Sequence, residues 1–243
     1  MSRAVVIAQA RMGSSRLPGK VLEDLGGRPV VWHCLMRALK IPGVAAVCVA
    51  TSDLAIDDPL ADFCREMPGV VVVRGHPTDL LERYARSADE TAADVIVRIT
   101  CDCPLIDPEV CGATLALQRQ RAAPYASNNL RREWPHGLDC EVFPRATLEA
   151  AVAQAQEPYD REHVGPWIKR AAGAQAVHLA GPDGDAACHR WTLDYPEDLQ
   201  FLRALWPLLP EDRVARWFDV DAILRSRPDV AAINACHSIS AAS

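Results

Sequence analysis

Short, solid apolar runs alternate along the first half of the chain with longer stretches that are apolar on one helical face. Ala4 to Ala8, Val44 to Ala50, Val70 to Val73 and Val95 to Ile99 are continuous apolar or β-branched runs and predict buried strands. Between them, Pro29 to Leu39, Ile56 to Met67 and Leu80 to Ala92 carry helical stripes. Asp107-Pro108 opens a further helix with a capping side chain and a proline in the first turn. Strands without polar alternation, each followed by a helix, predict an α/β fold around a mainly parallel sheet covered on both faces. Ligands of such sheets sit beyond the carboxyl ends of the strands. The polar clusters at 9–20, 50–53, 74–79 and 100–104 all fall there, so one shared site is expected.

The pattern changes after Pro124. Tyr125 to Asn129 and Trp134 to Phe143 read as irregular or antiparallel segments broken by Pro135 and Gly137, a small lobe over about 125–145. Arg145 to Gln156 and Tyr159 to Ala172 read as helices, the second with Pro166 near its first turns. Val177 with Leu179 and Arg190 to Leu193 mark short strands. The second of these leads into a helix that reaches about Trp206. Asp219 is placed to cap a short helix through Leu224, and the serine- and alanine-rich tail from His237 is expected to fray. The organisation expected is one α/β domain over 1–206 and a helical extension with a frayed tail over 207–243.

Composition narrows the function more than the fold. The 243 residues are 49% hydrophobic and 24% charged, with a formal charge of −6. That acidity argues against general nucleic-acid or membrane-surface binding, so an anionic ligand needs a local basic patch. With no leader-like start and no run of spanning length, a cytoplasmic protein is expected. Nine cysteines in a chain of this size do not make a disulfide framework, and Cys101-Asp102-Cys103 without a second pair is poor zinc evidence.

The basic patch is Gln9-Ala10-Arg11-Met12-Gly13-Ser14-Ser15-Arg16-Leu17-Pro18-Gly19-Lys20, directly after the first strand. It holds three cations, two serines and two glycines, and no acidic residue precedes Glu23. Exposed backbone N–H groups with fixed cations suit a polyphosphate. Five residues separate Gly13 from Gly19 and Val21 follows Lys20, so this is not a Walker loop, and the dinucleotide glycine pattern is absent.

Two acids end strands near this patch. Asp102 can cap a turn or hold Mg²⁺, which favours a few carboxylates together with phosphate oxygens. Asp194 can equally serve the helix start Asp-x-Pro-Glu. Asp139 and Glu141 alternate and would share one strand face, where they could bind substrate hydroxyls or meet water. Asp160-Arg161-Glu162-His163 packs four ionisable groups at a helix start, either mutually paired and solvated or substrate-binding. Arg74, Arg98, Asn128 and Asn129 end segments near the presumed site.

Together these residues resemble the cytidylyltransferase family that activates acidic sugars, and most closely its spore-coat-polysaccharide (SpsF-type) branch. The likeness lies in Gln9 to Lys20, Ala50-Thr51-Ser52, Arg74-Gly75 with Asp79-Leu80-Leu81-x-Arg83-Tyr84, and Arg98 to Ile106. It continues in Gly137-x-Asp139-x-Glu141, Arg161-Glu162-His163 and Asp194-Tyr195-Pro196-Glu197-Asp198-Leu199. The resemblance implies a single Rossmann-like nucleotide-diphospho-sugar transferase (GT-A-like) domain that moves CMP from CTP to a sugar or related polar acceptor, in surface polysaccharide biosynthesis. It makes Asp102 and Asp194 the Mg²⁺ ligands, and gives Arg11, Arg16 and Lys20 the β- and γ-phosphates. Gly13, Ser14 and Ser15 line the phosphate turn, while the backbone around Ala8, Gln9 and Ala10, with Arg74, faces the cytidine and Arg98 serves the nucleotide. Asn128, Asp139, Glu141, Arg161 and His163 become acceptor-binding candidates. A homodimer formed through 125–145 is implied as well. The Cys101-Asp102-Cys103 form departs from the sugar-acid synthetases, so the acceptor stays open. A glycosyltransferase of the same architecture is the alternative; it would usually carry an Asp-x-Asp motif, which this block lacks. A nucleotide-binding protein without turnover is a third reading.

Overall fold

The computed structural model describes residues 2–182 and 185–237. Strand β1 (Ala4–Gln9) is followed by the cationic loop, a two-stranded antiparallel ladder of β2 (Asp24–Leu25) and β3 (Arg28–Pro29), and helix α1 (Val30–Ala38). Then come β4 (Ala46–Ser52), α2 (Asp58–Arg65), β5 (Val70–Gly75), α3 (Leu80–Glu90), β6 (Val95–Thr100) and α4 (Pro108–Arg121). The second half holds β7 (Ala126–Ser127), β8 (Glu141–Pro144), α5 (Arg145–Gln154), α6 (Pro158–His163), α7 (Gly165–Ala172), β9 (Val177–His178), α8 (Pro196–Leu205), α9 (Trp217–Ser226) and α10 (Pro228–Ala231).

Seven strands form one sheet in the order β5-β4-β1-β6-β8-β7-β9. β5, β4, β1 and β6 are mutually parallel, as their unbroken apolar runs predict. Their side chains alternate between two cores: Val6 and Ala8 point into one, Val5 and Ile7 into the other. The antiparallel part falls where the pattern changed and is joined to the main sheet. β8 pairs antiparallel to β6 and β7 to β8, so both continue the main sheet.

After β1 the chain moves out to β4 and β5, then returns to place β6 on the other side of β1. That reversal opens a crevice at the carboxyl ends of β1 and β6. The loop after β1 carries Arg11 to Lys20, and the turn after β6 carries Asp102.

Three local readings change. The helix expected over 159–172 is two helices, α6 and α7, with Val164 between them at φ 58. Pro166 has no N–H to continue the ladder and its ring would clash with the carbonyl one turn back. Arg190 to Leu193 makes a single bridge with His136 instead of a strand. Asp219 lies in the first turn of α9, where its carboxylate accepts from the Arg216 N–H at 2.8 Å. The tail expected to fray lies, beyond His237, outside the described residues.

Candidate functional site

The cationic loop is pinned at its start and folded back on itself. The Met12 N–H donates to the buried Asp57 carboxylate at 2.6 Å, and the N–H groups of Ser14 and Gly19 both donate to the Met12 carbonyl at 2.9 Å. Gly19 has φ +73, a conformation costly for any residue with a Cβ. Gly13 does not take a positive φ, and a Cβ there would meet nothing within 4 Å, so its absence of a side chain is not structurally demanded.

This turn aims Lys20 into the crevice. Its ammonium donates to Asp102 Oδ2 at 2.8 Å, to Asp194 Oδ1 at 2.9 Å and to the Leu193 carbonyl at 2.7 Å. The two acids therefore converge on a single point. Arg16 reaches Asp194 Oδ1 at 2.6 Å from the outer side and lies over the Tyr195 ring. Burial alone would raise both carboxyl pKa values, but the Lys20 charge outweighs it and holds Asp102 and Asp194 below the usual carboxylate range. Burial likewise opposes the Lys20 charge, and the two carboxylates reverse that, so the ammonium persists.

Asp194 is braced from behind. Arg190, 6% exposed, donates to Asp194 Oδ2 at 2.8 Å and to both oxygens of the buried Asp198. Asn234, beyond α10, donates to Asp198 Oδ1 and to the Arg190 carbonyl, closing a buried network that fixes the Asp194 carboxylate.

Two cavities meet at these acids. One, of about 300 Å³, is lined by Gln9, Ala10, Arg11, Ser14, Ser15, Arg16 and Lys20 with Thr78, Arg83, Asp102, Glu162, His163 and Asp194. The other, of about 670 Å³, lies on the far side of Asp102 and Asp194 and is walled by Asn129, Arg132, His136, Asp139, Tyr195 and His237. Burial holds His136 below the ordinary histidine pKa, against the pull of Asp139.

Several expected residues stand elsewhere. The Ala8 side chain is buried in β1, which leaves the backbone as the part of this residue expected to meet a ligand. Arg74 donates to the carbonyls of Ser52 and Leu54 and pairs with Asp58, tying the loop after β4 without lining either cavity. Arg98 donates to Glu141 at 2.6 Å across the β6–β8 pair and to the Gln9 side chain at 3.0 Å, so it positions Gln9 from inside the sheet. Asn128 is fully buried, with its amide spent on Leu138 and Cys140. Asp139 and Glu141 part company because β8 begins only at Glu141. Asp139 faces the larger cavity beside Arg132, while Glu141 is interior. Arg161 donates to Asp79 at 2.7 Å and so supports the start of α3. His163 lines the smaller cavity, apart from Asp139.

The sequence reading missed Arg190 and Asn234, and quoted Arg83 within a motif without giving it a role. Arg190 stands four residues before Asp194, a spacing that could have suggested a clamp. Asn234 offers no such signal.

Hard oxygen donors converging on a point held by an ammonium suit a divalent cation such as Mg²⁺, which uses one or two carboxylates and completes its shell with phosphate oxygens and water. Among the described residues no group of three or more His, Cys, Asp or Glu gathers for an all-protein metal site. The donor set thus fits a cation brought with a phosphate ligand. No helix among the described residues is long and apolar enough to cross a membrane.

The profile of the cytidylyltransferase family matches residues 5–206. A 3-deoxy-manno-octulosonate cytidylyltransferase of Anaeromyxobacter dehalogenans (strain 2CP-1) is 32% identical, over 91% of this chain and 93% of that one. The spore coat polysaccharide biosynthesis protein SpsF of Bacillus subtilis is 29% identical over 95% and 98%. A solved cytidylyltransferase from Leptospira borgpetersenii superposes with a TM-score of 0.88 at 28% identity, covering 95% of this chain and 97% of that chain.

Proposed function

We propose, for a chain that belongs to the cytidylyltransferase family, that it transfers CMP from CTP to a sugar or related polar acceptor with release of pyrophosphate, in a divalent-cation-dependent reaction. The observation that carries the reading is the meeting of Asp102 and Asp194 at the Lys20 ammonium, at the seam between two cavities. The smaller cavity, floored by the cationic loop, takes the nucleotide. The larger takes the acceptor, whose oxygen then lies across the acids from the α-phosphorus.

Mg²⁺ on Asp102 and Asp194, when bound, supplies charge neutralisation at the α-phosphate. The chain's own residues do the rest. Arg11 and Arg16 hold the β- and γ-phosphates, and Ser14 and Ser15 line the turn beneath them. Lys20 turns from the two carboxylates to the departing pyrophosphate. Arg190 and Asp198 keep Asp194 in place while its neighbours exchange. Arg132 and His136 offer donors to the acceptor, with Asp139 and Asn129 available for its hydroxyls. Positioning and preorganised charge provide the acceleration, since phosphoryl chemistry needs little covalent help.

A cytoplasmic homodimer engaged in polysaccharide biosynthesis belongs to the same reading, and sedimentation at micromolar concentration tests the dimer. The activity is tested by a pyrophosphate-release screen of the four nucleoside triphosphates, each against sugar acids, amino sugars and phosphonates with Mg²⁺ or Mn²⁺. Release with CTP and one acceptor class is expected. Release of a nucleoside diphosphate from a nucleotide-sugar, with no pyrophosphate from CTP, would replace this reading with a glycosyltransferase.

A further inference from the structure

Among the described residues, no carboxylate forms an ion pair with Arg83. It projects from α3 at the edge of the smaller cavity and is only 3% exposed. Its Nε has no hydrogen-bond partner, Nη2 reaches only the Pro77 carbonyl at 3.4 Å, and no carboxylate among the described residues pairs with it. Asp57 and Glu82 are near enough to favour its charge, but burial outweighs them and neither forms an ion pair with it; their oxygens are turned to other donors. Asp57 accepts from Met12 N–H and Ser52 Oγ, and Glu82 accepts from His76 N–H. Arg11 faces the same cavity and its charge opposes that of Arg83, beyond the penalty burial already imposes. Its own acidic partner, Glu162, is 3.8 Å away on the surface. The fold nevertheless makes room for Arg83: a Cβ on Gly75 would stand 3.2 Å from its Cγ.

A buried guanidinium left unneutralised is expensive. Keeping one beside a cavity that a second arginine, the exposed Arg11, also faces makes sense where the missing partner is an anion that arrives there. A neutral carbonyl of a base would leave the charge uncompensated, whereas phosphate oxygens accept from the planar fork two at a time.

We propose that Arg83 is a ligand-binding residue whose counter-ion is a phosphate group of the bound nucleoside triphosphate. This rests on the reading of the smaller cavity as the nucleotide site. Arg83 then completes a cationic wall with Arg11, on the opposite side of the polyphosphate from Lys20.

Calorimetry with three probes, combined with thermal melts, tests it on the full chain. The probes are CTP with Mg²⁺, inorganic tripolyphosphate, and cytidine; the proteins are wild type, Arg83→Met and Arg83→Lys. Met keeps the aliphatic stem and removes the charge. Arg83→Met should weaken CTP and tripolyphosphate by about 10- to 150-fold, as for loss of a charged hydrogen-bonding partner. Cytidine affinity should be unchanged, and the ligand-free melting temperature should hold or rise, because an uncompensated charge has gone. Arg83→Lys should recover only part of the affinity. Unchanged CTP and tripolyphosphate affinity in Arg83→Met would overturn the proposal. So would equal losses for cytidine and CTP accompanied by a lower melting temperature, the mark of a packing role. Tripolyphosphate binding that depends on Arg83 in a protein that ignores CTP would leave this inference standing and remove the nucleotide reading instead.

Discussion

Asp102 and Asp194, which follow different segments of the chain, accept from the same ammonium, that of Lys20, at 2.8 and 2.9 Å. The opposed charges hold each other in place until a ligand arrives. Losing one preorganised electrostatic partner costs about 10²–10³ in rate. Asp102→Asn and Lys20→Ala should therefore fold, with unchanged circular dichroism, and release pyrophosphate at least a hundredfold more slowly, to the order of that cited range. Wild-type rates from either would remove these residues from the site.

Acid should loosen the brace behind Asp194. Burial alone would raise the Asp198 carboxyl, but donation from Arg190, Asn234 and the N–H groups of Asp194 and Tyr195 brings it below its ordinary value. A carboxyl depressed on folding adds stability above its unfolded pKa, near 3.9. That contribution drains away as pH falls through the lower folded value. Urea midpoints should thus drop between about pH 5 and pH 3, and Asp198→Asn should start lower and show a shallower drop.

Arg98 and Glu141 form an interior ion pair between neighbouring strands, 2.6 Å apart. Removing one partner strands the other charge, so Glu141→Gln should cost about 3–5 kcal/mol in urea unfolding. An Arg98→Met, Glu141→Leu double variant should recover most of it, while freeing Gln9 and weakening nucleotide binding. If the single variant is silent, the pair is not the interior feature described.

Gly137 adopts φ +116, and a Cβ there would stand 2.6 Å from the Trp191 carbonyl carbon. Gly137→Ala should lose roughly 1–3 kcal/mol to backbone strain alone, with further loss from the clash. The larger cavity, walled by neighbouring His136 and Asp139, should suffer with it. Thermal melts and acceptor saturation curves would register both.

The parallel half of the sheet was legible because Val5 to Ala8 and Val95 to Ile99 lack polar alternation, which only burial on both faces explains. Asp102 was legible as an acid after a strand beside a cationic loop; Asp194 was singled out with it, although the segment before it proves to be a single bridge. Glu141 was not, because its distinction from Asp139 depends on where β8 begins, and strand starts carry little sequence signal. Arg83 lies in a helical stripe, where an arginine reads as solvated; its burial without an ion-pair partner among the described residues is a property of packing. The break at Val164 follows from Pro166, two positions on, and was visible in principle. The Asn234 contact joins segments that no local pattern connects.

The Asn234 tie also bears on synthesis, because it is made by one of the last described residues. Lys20 and Asp102 leave the ribosome early and can pair while translation continues. The Arg190–Asp198 clamp has no lock until Asn234 follows, after nearly all of the described chain has emerged. A nascent chain halted before that point would lack the Asn234 tie on Asp198, and with it the last contact of the network that holds the Asp194 carboxylate.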